Sequence, residues 1–192
     1  MPLPRAILFV DGENLTMRYQ ALLRSGAQAR QGIEHRQDVY VWCDRVTRSP
    51  GWALEKIVRT YYYTSVAGDE ATANAVRDDL ARLKFSSRGD DGGIAEQQII
   101  PVVFTKSSQD RKTRKVDIRI VIDVMRFAFT NEVERVYLAS GDGDYLPLIE
   151  EVMRRGKQVE LLAFSSGLNP TLPRSVDNCH RLDDAFFDDG NG

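Results

Sequence analysis

Asp142 and Asp144 stand two residues apart in "SGDGDY" (140–145), between the apolar run "VYLA" and the helix-like "LPLIEEVMRRG". Like charges repel, so two carboxylates in the mouth of one strand-to-helix turn need a counter-charge. A third acid, Asp11 of "VDGEN", ends the apolar run "AILFV" at 6–10. A fourth, Asp117, heads a stripe with Val121, Val124 and Ala128 along a helix expected over 116–130. A lone carboxylate on such a stripe is costly. Several converging on a divalent cation are neutralised, and hard cations such as Mg²⁺ prefer carboxylate and water oxygens. The acids therefore point to metal binding.

Each has a plainer role when taken singly. Asp144 is an equally good N-cap or first-turn acid for the following helix, where Pro147 is tolerated. Asp117 suits the first turn of its own helix, Asp11 suits a turn, and Asn14 caps a helix as readily as it faces a ligand. The plainer roles leave unexplained why acids occur together at two strand ends and at one buried helix start.

Positioning these groups requires a sheet. Five short, continuously apolar runs, 6–10, 57–66, 98–105, 135–140 and 158–164, read as strands buried on both faces. Helical segments lie between them at roughly 14–24, 69–85, 116–130 and 145–155, the last closed by Gly156. Alternation of this kind predicts a three-layer α/β/α sandwich with a mainly parallel central sheet, whose ligand crevice lies beyond the carboxyl ends of the strands. Asp11 and Asp142 both follow such ends. Residues 25–56 are long for a connection and are expected as an insertion or flap; "VYVW" (39–42) and Trp52 offer an interface or lid. "SSRGDDGGIAEQ" reads as a loop or hairpin tip. One domain over 1–176 is expected, followed by a solvated tail at 177–192 with five acids and one strong base.

Composition narrows the function classes. The chain has 192 residues, 26 Lys plus Arg against 28 Asp plus Glu, and a net charge of -2. Global charge thus does not mark a nucleic-acid binder, and any such site must be local. Cys43 and Cys179 fall in neither disulfide nor zinc spacing, the usage of a reduced cytoplasmic protein. No run approaches a membrane span.

The motifs "ILFVDGEN", "KVDIRIVIDVMRFA" and "VYLASGDGDYLPLIEEVMRRGKQVELLAF" resemble, in the expected order, a NYN domain of the LabA-like group, a branch of the PIN-like nuclease superfamily. That resemblance spans nearly the whole chain. It implies a PIN-like fold and a divalent-metal-dependent nuclease, with Mg²⁺ or Mn²⁺ as cofactor and Asp11, Asp117, Asp142 and Asp144 as catalytic and metal-binding residues. Asn14 and Ser140 are implied as supporting polar groups. Asp123, bordering the buried stripe, resembles an acid often seen in this helix and is expected behind the metal ligands. The implied reaction is hydrolysis of a phosphodiester, in RNA, by a metal-activated water. A homodimer is compatible with a PIN-like domain. Neither His35 nor His180 lies in a site-like turn, so no histidine base is expected.

"TKSSQDRKTRKVDIR" (105–119) carries six bases against two acids. Lys106, Arg111, Lys112, Arg114 and Lys115 are thus candidate contacts to an RNA backbone, although a solvated charge run has the same composition. In "TYYYTS", the tyrosines can stack on bases or pack in the core, and Thr64 or Ser65 is expected near the crevice. Two rivals stand beside the nuclease. "SGDGD" is similar to the metal loop of haloacid dehalogenase phosphatases, but Glu13 occupies the place of their second aspartate. The other is a non-catalytic RNA-binding or protein-interaction module that keeps the fold.

Overall fold

Every pairing in the central sheet is parallel, and the strand order is β10-β9-β8-β1-β4-β7. The computed structural model describes residues 3–47, 56–107 and 114–188. The sheet strands are β1 (Arg5–Asp11), β4 (Lys56–Ala67), β7 (Ile100–Lys106), β8 (Arg135–Ala139), β9 (Gln158–Ala163) and β10 (Asn178–Arg181). Two small hairpins pair β2 (Glu34–Arg36) with β3 (Tyr40–Trp42) and β5 (Lys84–Arg88) with β6 (Ile94–Gln98). The helices are α1 (Gly12–Arg24), α2 (Glu70–Ala81), α3 (Arg114–Thr130), α4 (Leu146–Arg154) and a short α5 (Asp183–Phe186).

Side-chain alternation along β1 builds the three layers. Ala6, Leu8 and Val10 join the core under α1, α2 and the β2–β3 hairpin, while Ile7 and Phe9 join the core under α3 and α4. Asp11 continues the second parity, so the strand delivers its carboxylate toward α3 and α4. From β1 the chain winds outward through β4 and β7, then returns to the other side of β1 for β8, β9 and β10. The gap between β1 and β8 is therefore the topological switch point, where open α/β sheets bind ligands.

Several expectations are corrected by packing. The 69–85 helix stops at Ala81 because Lys84–Arg88 leave to form β5; the expected hairpin tip is the β5–β6 turn. The buried stripe of α3 is Val116, Ile120, Asp123, Val124, Phe127 and Ala128, and Val121 faces outward. The stripe is thus rotated from the expected one. Residues 178–181 add a sixth strand, and Phe186 and Phe187 are buried against Tyr19 and Phe164. The solvated tail is therefore not found over 178–187; residues 189–192 lie outside the described residues. Within the 25–56 segment, Val41 and Trp42 are buried in the core, so "VYVW" supplies packing and no exposed interface. Trp52 lies outside the described residues. The three tyrosines of "TYYYTS" are also core: Tyr62 and Tyr63 are fully buried and Tyr61 stacks on Phe9. Tyr62 and Tyr63 thus present no stacking surface to a base, and Tyr61 is half-buried.

Candidate active site at the switch point

The site begins with the capping chemistry of two strand ends. Asp11 is the N-cap of α1: its Oδ1 accepts from the Asn14 backbone N–H at 3.0 Å. Its Oδ2 accepts from Ser140 Oγ at 3.0 Å and lies 3.3 Å from the Tyr145 hydroxyl. The carboxylate is fully buried. A buried charge is tolerated only with such partners.

Across the gap, Asp142 caps the 3-10 turn Gly143–Tyr145, its Oδ1 accepting from the Asp144 N–H at 3.0 Å. The N-cap here is Asp142, and Asp144 is the acid of the first turn, the other of the two plainer roles open to it. Two cross-links join the strand ends. Ser140 Oγ donates to Asp11 Oδ2 and Asn14 Oδ1 accepts from the Gly141 N–H at 3.1 Å, while within the turn Ser140 Oγ accepts from the Asp142 N–H at 3.2 Å.

Asp117 arrives from the first turn of α3 and is half-buried. The Tyr145 hydroxyl is 3.2 Å from its Oδ1, so one phenolic proton serves both Asp11 and Asp117. Burial, then the charges of Asp11 and Asp117, push the Tyr145 hydroxyl far above its ordinary range, so it remains a donor. Tyr145 closes "SGDGDY", yet no motif or charge pattern in the sequence marks it as part of the site. Its signal was an aromatic with a polar tip following the acids.

The four acids expected to share an ion are thus split. Asp11 and Asp117 meet at Tyr145, Asp142 sits half-buried beside Ser140, and Asp144 is exposed. Asp123 is buried with Tyr63 (3.0 Å) and Arg119 (2.7 Å), and Arg126 lies 3.6 Å away. Among the described residues no three acidic, histidine or cysteine side chains converge on one point. The donors are nonetheless all oxygen. A pair of carboxylates, Asp11 and Asp117, suits Mg²⁺, which keeps several waters and commonly takes one or two carboxylates plus phosphate oxygens.

Lys106, expected at the substrate, is turned inward. Its Nζ lies 3.6 Å from Glu13 Oε1, and Glu13 also accepts from Ser65 Oγ. Thr64 donates to the Val39 carbonyl. Arg114 and Lys115 are exposed at the start of α3; Arg111 and Lys112 lie outside the described residues. His35 packs on Tyr19 and His180 pairs with Glu160, both away from the acids.

An open cleft of about 330 Å³ adjoins Asp142. Its walls are the first turns of α1 and the loops 141–143 and 167–169, with Arg18 and Asn169 among the lining residues. Sequence reading missed both, since neither lies in a charged run or a motif.

Comparison with known proteins agrees with the fold. The family model described as the NYN domain matches residues 5–183. A crystal structure of a protein of unknown function from Vibrio parahaemolyticus superposes with a TM-score of 0.62 at 19% identity, covering 96% of each chain. At that identity the likeness concerns the fold. No curated protein matches.

Proposed function

The chain belongs to the NYN domain family, within the PIN-like nuclease superfamily, and on that premise we propose that it is a divalent-metal-dependent ribonuclease of the LabA-like group. One observation carries the reading: Asp11 and Asp117, from different elements, share the Tyr145 hydroxyl at the switch point, with Asp142 capping the adjacent turn. Asp11 and Asp117 would hold Mg²⁺ or Mn²⁺, with Asp142 alongside. A bound cation of this kind supplies Lewis acidity at the phosphate and lowers the pKa of water.

The protein's own groups supply placement. Ser140, Tyr145 and the Asn14 N–H fix the Asp11 carboxylate from three directions, so its lone pairs keep one orientation. Tyr145 holds Asp117 at a set distance from Asp11 and keeps its proton. Ser140 and Asn14 tie the two strand ends together, which keeps Asp142 in register with Asp11. Asp144, exposed on the same turn, would meet an incoming strand. Arg114 and Lys115 flank that approach on α3 and would attract a phosphate backbone.

The spacing of the acids supports a second reading, a non-catalytic RNA-binding module with the same fold, because no three of them converge among the described residues. Cleavage of a labelled single-stranded RNA by wild type and Asp11→Asn, with Mg²⁺, Mn²⁺ or EDTA, separates the two. Metal-dependent cleavage lost in the folded variant supports the nuclease. Binding without cleavage under every ion supports the module.

A further inference from the structure

We infer that the cleft beside Asp142 is a nucleotide subsite, in which Arg18 takes a backbone phosphate of a bound RNA strand; this rests on the reading above that RNA is the partner. The cleft is built from donors. Arg18 Nε is buried and has no hydrogen-bond partner, and the guanidinium makes no ion pair among the described residues. A half-buried guanidinium without an acceptor is unusual, since desolvating polar groups costs free energy unless a partner satisfies them. Arg18 lines the cleft, so an anion bound there would meet the charge of this guanidinium.

The walls agree. Asn169 Oδ1 accepts from the Thr171 N–H at 2.9 Å, which leaves Nδ2 as a donor on the cleft side, against Gly143. Asn14 spends its Oδ1 on the Gly141 N–H, so its amide nitrogen is also a donor. Of the two carboxylates in the lining, Glu13 is offset by Lys106, and Asp142 lies on the side of the acidic centre. Met17 and Leu168 provide apolar surface for a base or ribose face.

Glycines keep the space open. A Cβ at Gly167, which has φ +71°, would overlap the Arg18 guanidinium, and one at Gly143 would overlap the Asn169 amide. The guanidinium therefore lies directly on loop backbone, pre-positioned with little side-chain freedom left to lose on binding. Because the cleft shares Asp142 with the candidate active site, a strand whose phosphate sits on Arg18 runs on toward Asp11 and Asp117.

The test is equilibrium binding of a fluorescein-labelled single-stranded RNA of about ten nucleotides, a length matched to a short single-strand site. It is run in EDTA, so that no cleavage intervenes, at several salt concentrations. Arg18→Gln keeps the length of the side chain and removes its charge. Affinity is expected to fall about tenfold, and the salt dependence to lose about 0.7 from its log–log slope, the signature of one phosphate contact. Asn169→Asp keeps the bond to Thr171 and places a negative charge in the cleft; it is expected to weaken binding by at least as much while melting like wild type. Wild-type affinity and salt slope in Arg18→Gln overturn the inference. The two readings fail separately. RNA binding that depends on Arg18, with no cleavage under any ion, sinks the nuclease and keeps the subsite; cleavage by wild type with unaltered binding by Arg18→Gln does the reverse.

Discussion

Glu13 and Lys106 form an ion pair at 3.6 Å with side chains only 4% and 7% exposed. Glu13 opens α1 and Lys106 ends β7, so the pair braces the carboxyl edge of the sheet from beneath the site. Removing one partner of a buried pair strands the other charge and costs about 3–5 kcal/mol. Lys106→Met is therefore expected to lower unfolding free energy by that order in urea titrations. The double variant Glu13→Gln/Lys106→Met should recover much of the loss. A Lys106→Met protein as stable as wild type would show that the pair is not buried in solution.

Asp142 separates capping from chemistry. Asparagine caps as well as aspartate, so Asp142→Asn should melt close to wild type, whereas Asp142→Ala should lose about 1 kcal/mol. RNA cleavage should fall at least about a hundredfold in both, because both lose the charge. Equal cleavage by wild type and Asp142→Asn would remove Asp142 from the chemistry.

The acids were legible because strand ends and turn chemistry are local. Apolar runs of strand length ending in Asp11 and Ser140 foretold both the sheet and its loaded edge. What escaped depends on tertiary contact. Tyr145 reads as any aromatic near a helix start until Asp11 and Asp117 are brought to its hydroxyl. Lys106 belongs by composition to a basic run, yet a long-range acid turns it inward. Strand β10 was hidden because its four residues, "NCHR", show neither an apolar run nor clean alternation; the pairing with β9 supplies what composition lacks. The stripe of α3 was mis-phased because Ile118 and Ile122 are exposed, so apolar residues line more than one face.

Alkaline stability follows from the tyrosines. Tyr19, Tyr40, Tyr62, Tyr63, Tyr137 and Tyr145 all have hydroxyls raised from the ordinary value, chiefly by burial. Between the unfolded pKa, about 10, and the raised folded values, the unfolded chain releases protons that the native state keeps. Stability is then fully present below about pH 10 and falls as pH rises beyond it, by up to about 1.4 kcal/mol per pH unit for each fully buried hydroxyl and by less for the half-buried Tyr40. Tyr145→Phe should lose one proton from that slope. Urea titrations of both proteins at several alkaline pH values measure it, and identical slopes would mean that the Tyr145 hydroxyl is not buried in solution.

Gly12 follows Asp11 at the tightest approach of α1 to the sheet. A Cβ there would overlap the Tyr62 ring and stand 2.7 Å from the Tyr63 carbonyl oxygen. Neither neighbour can yield easily: Tyr62 is fully buried and its hydroxyl bridges the Val41 N–H and C=O at 3.0 Å each, while the Tyr63 carbonyl belongs to β4. Gly12→Ala must therefore push α1 off the strand end, at a cost of about 1–3 kcal/mol for overpacking. In a chain of this length that lowers the melting temperature by about 5 °C. The displacement also carries the Asn14 N–H away from Asp11, so cleavage should fall further than stability alone explains. Trimming the ring in Gly12→Ala/Tyr62→Leu relieves the overlap with Tyr62, though not the contact with the Tyr63 carbonyl, and removes the Val41 bridge, so the two substitutions should be non-additive, with the double variant less destabilised than the sum. Strict additivity in calorimetric melts would show that Gly12 and Tyr62 do not meet.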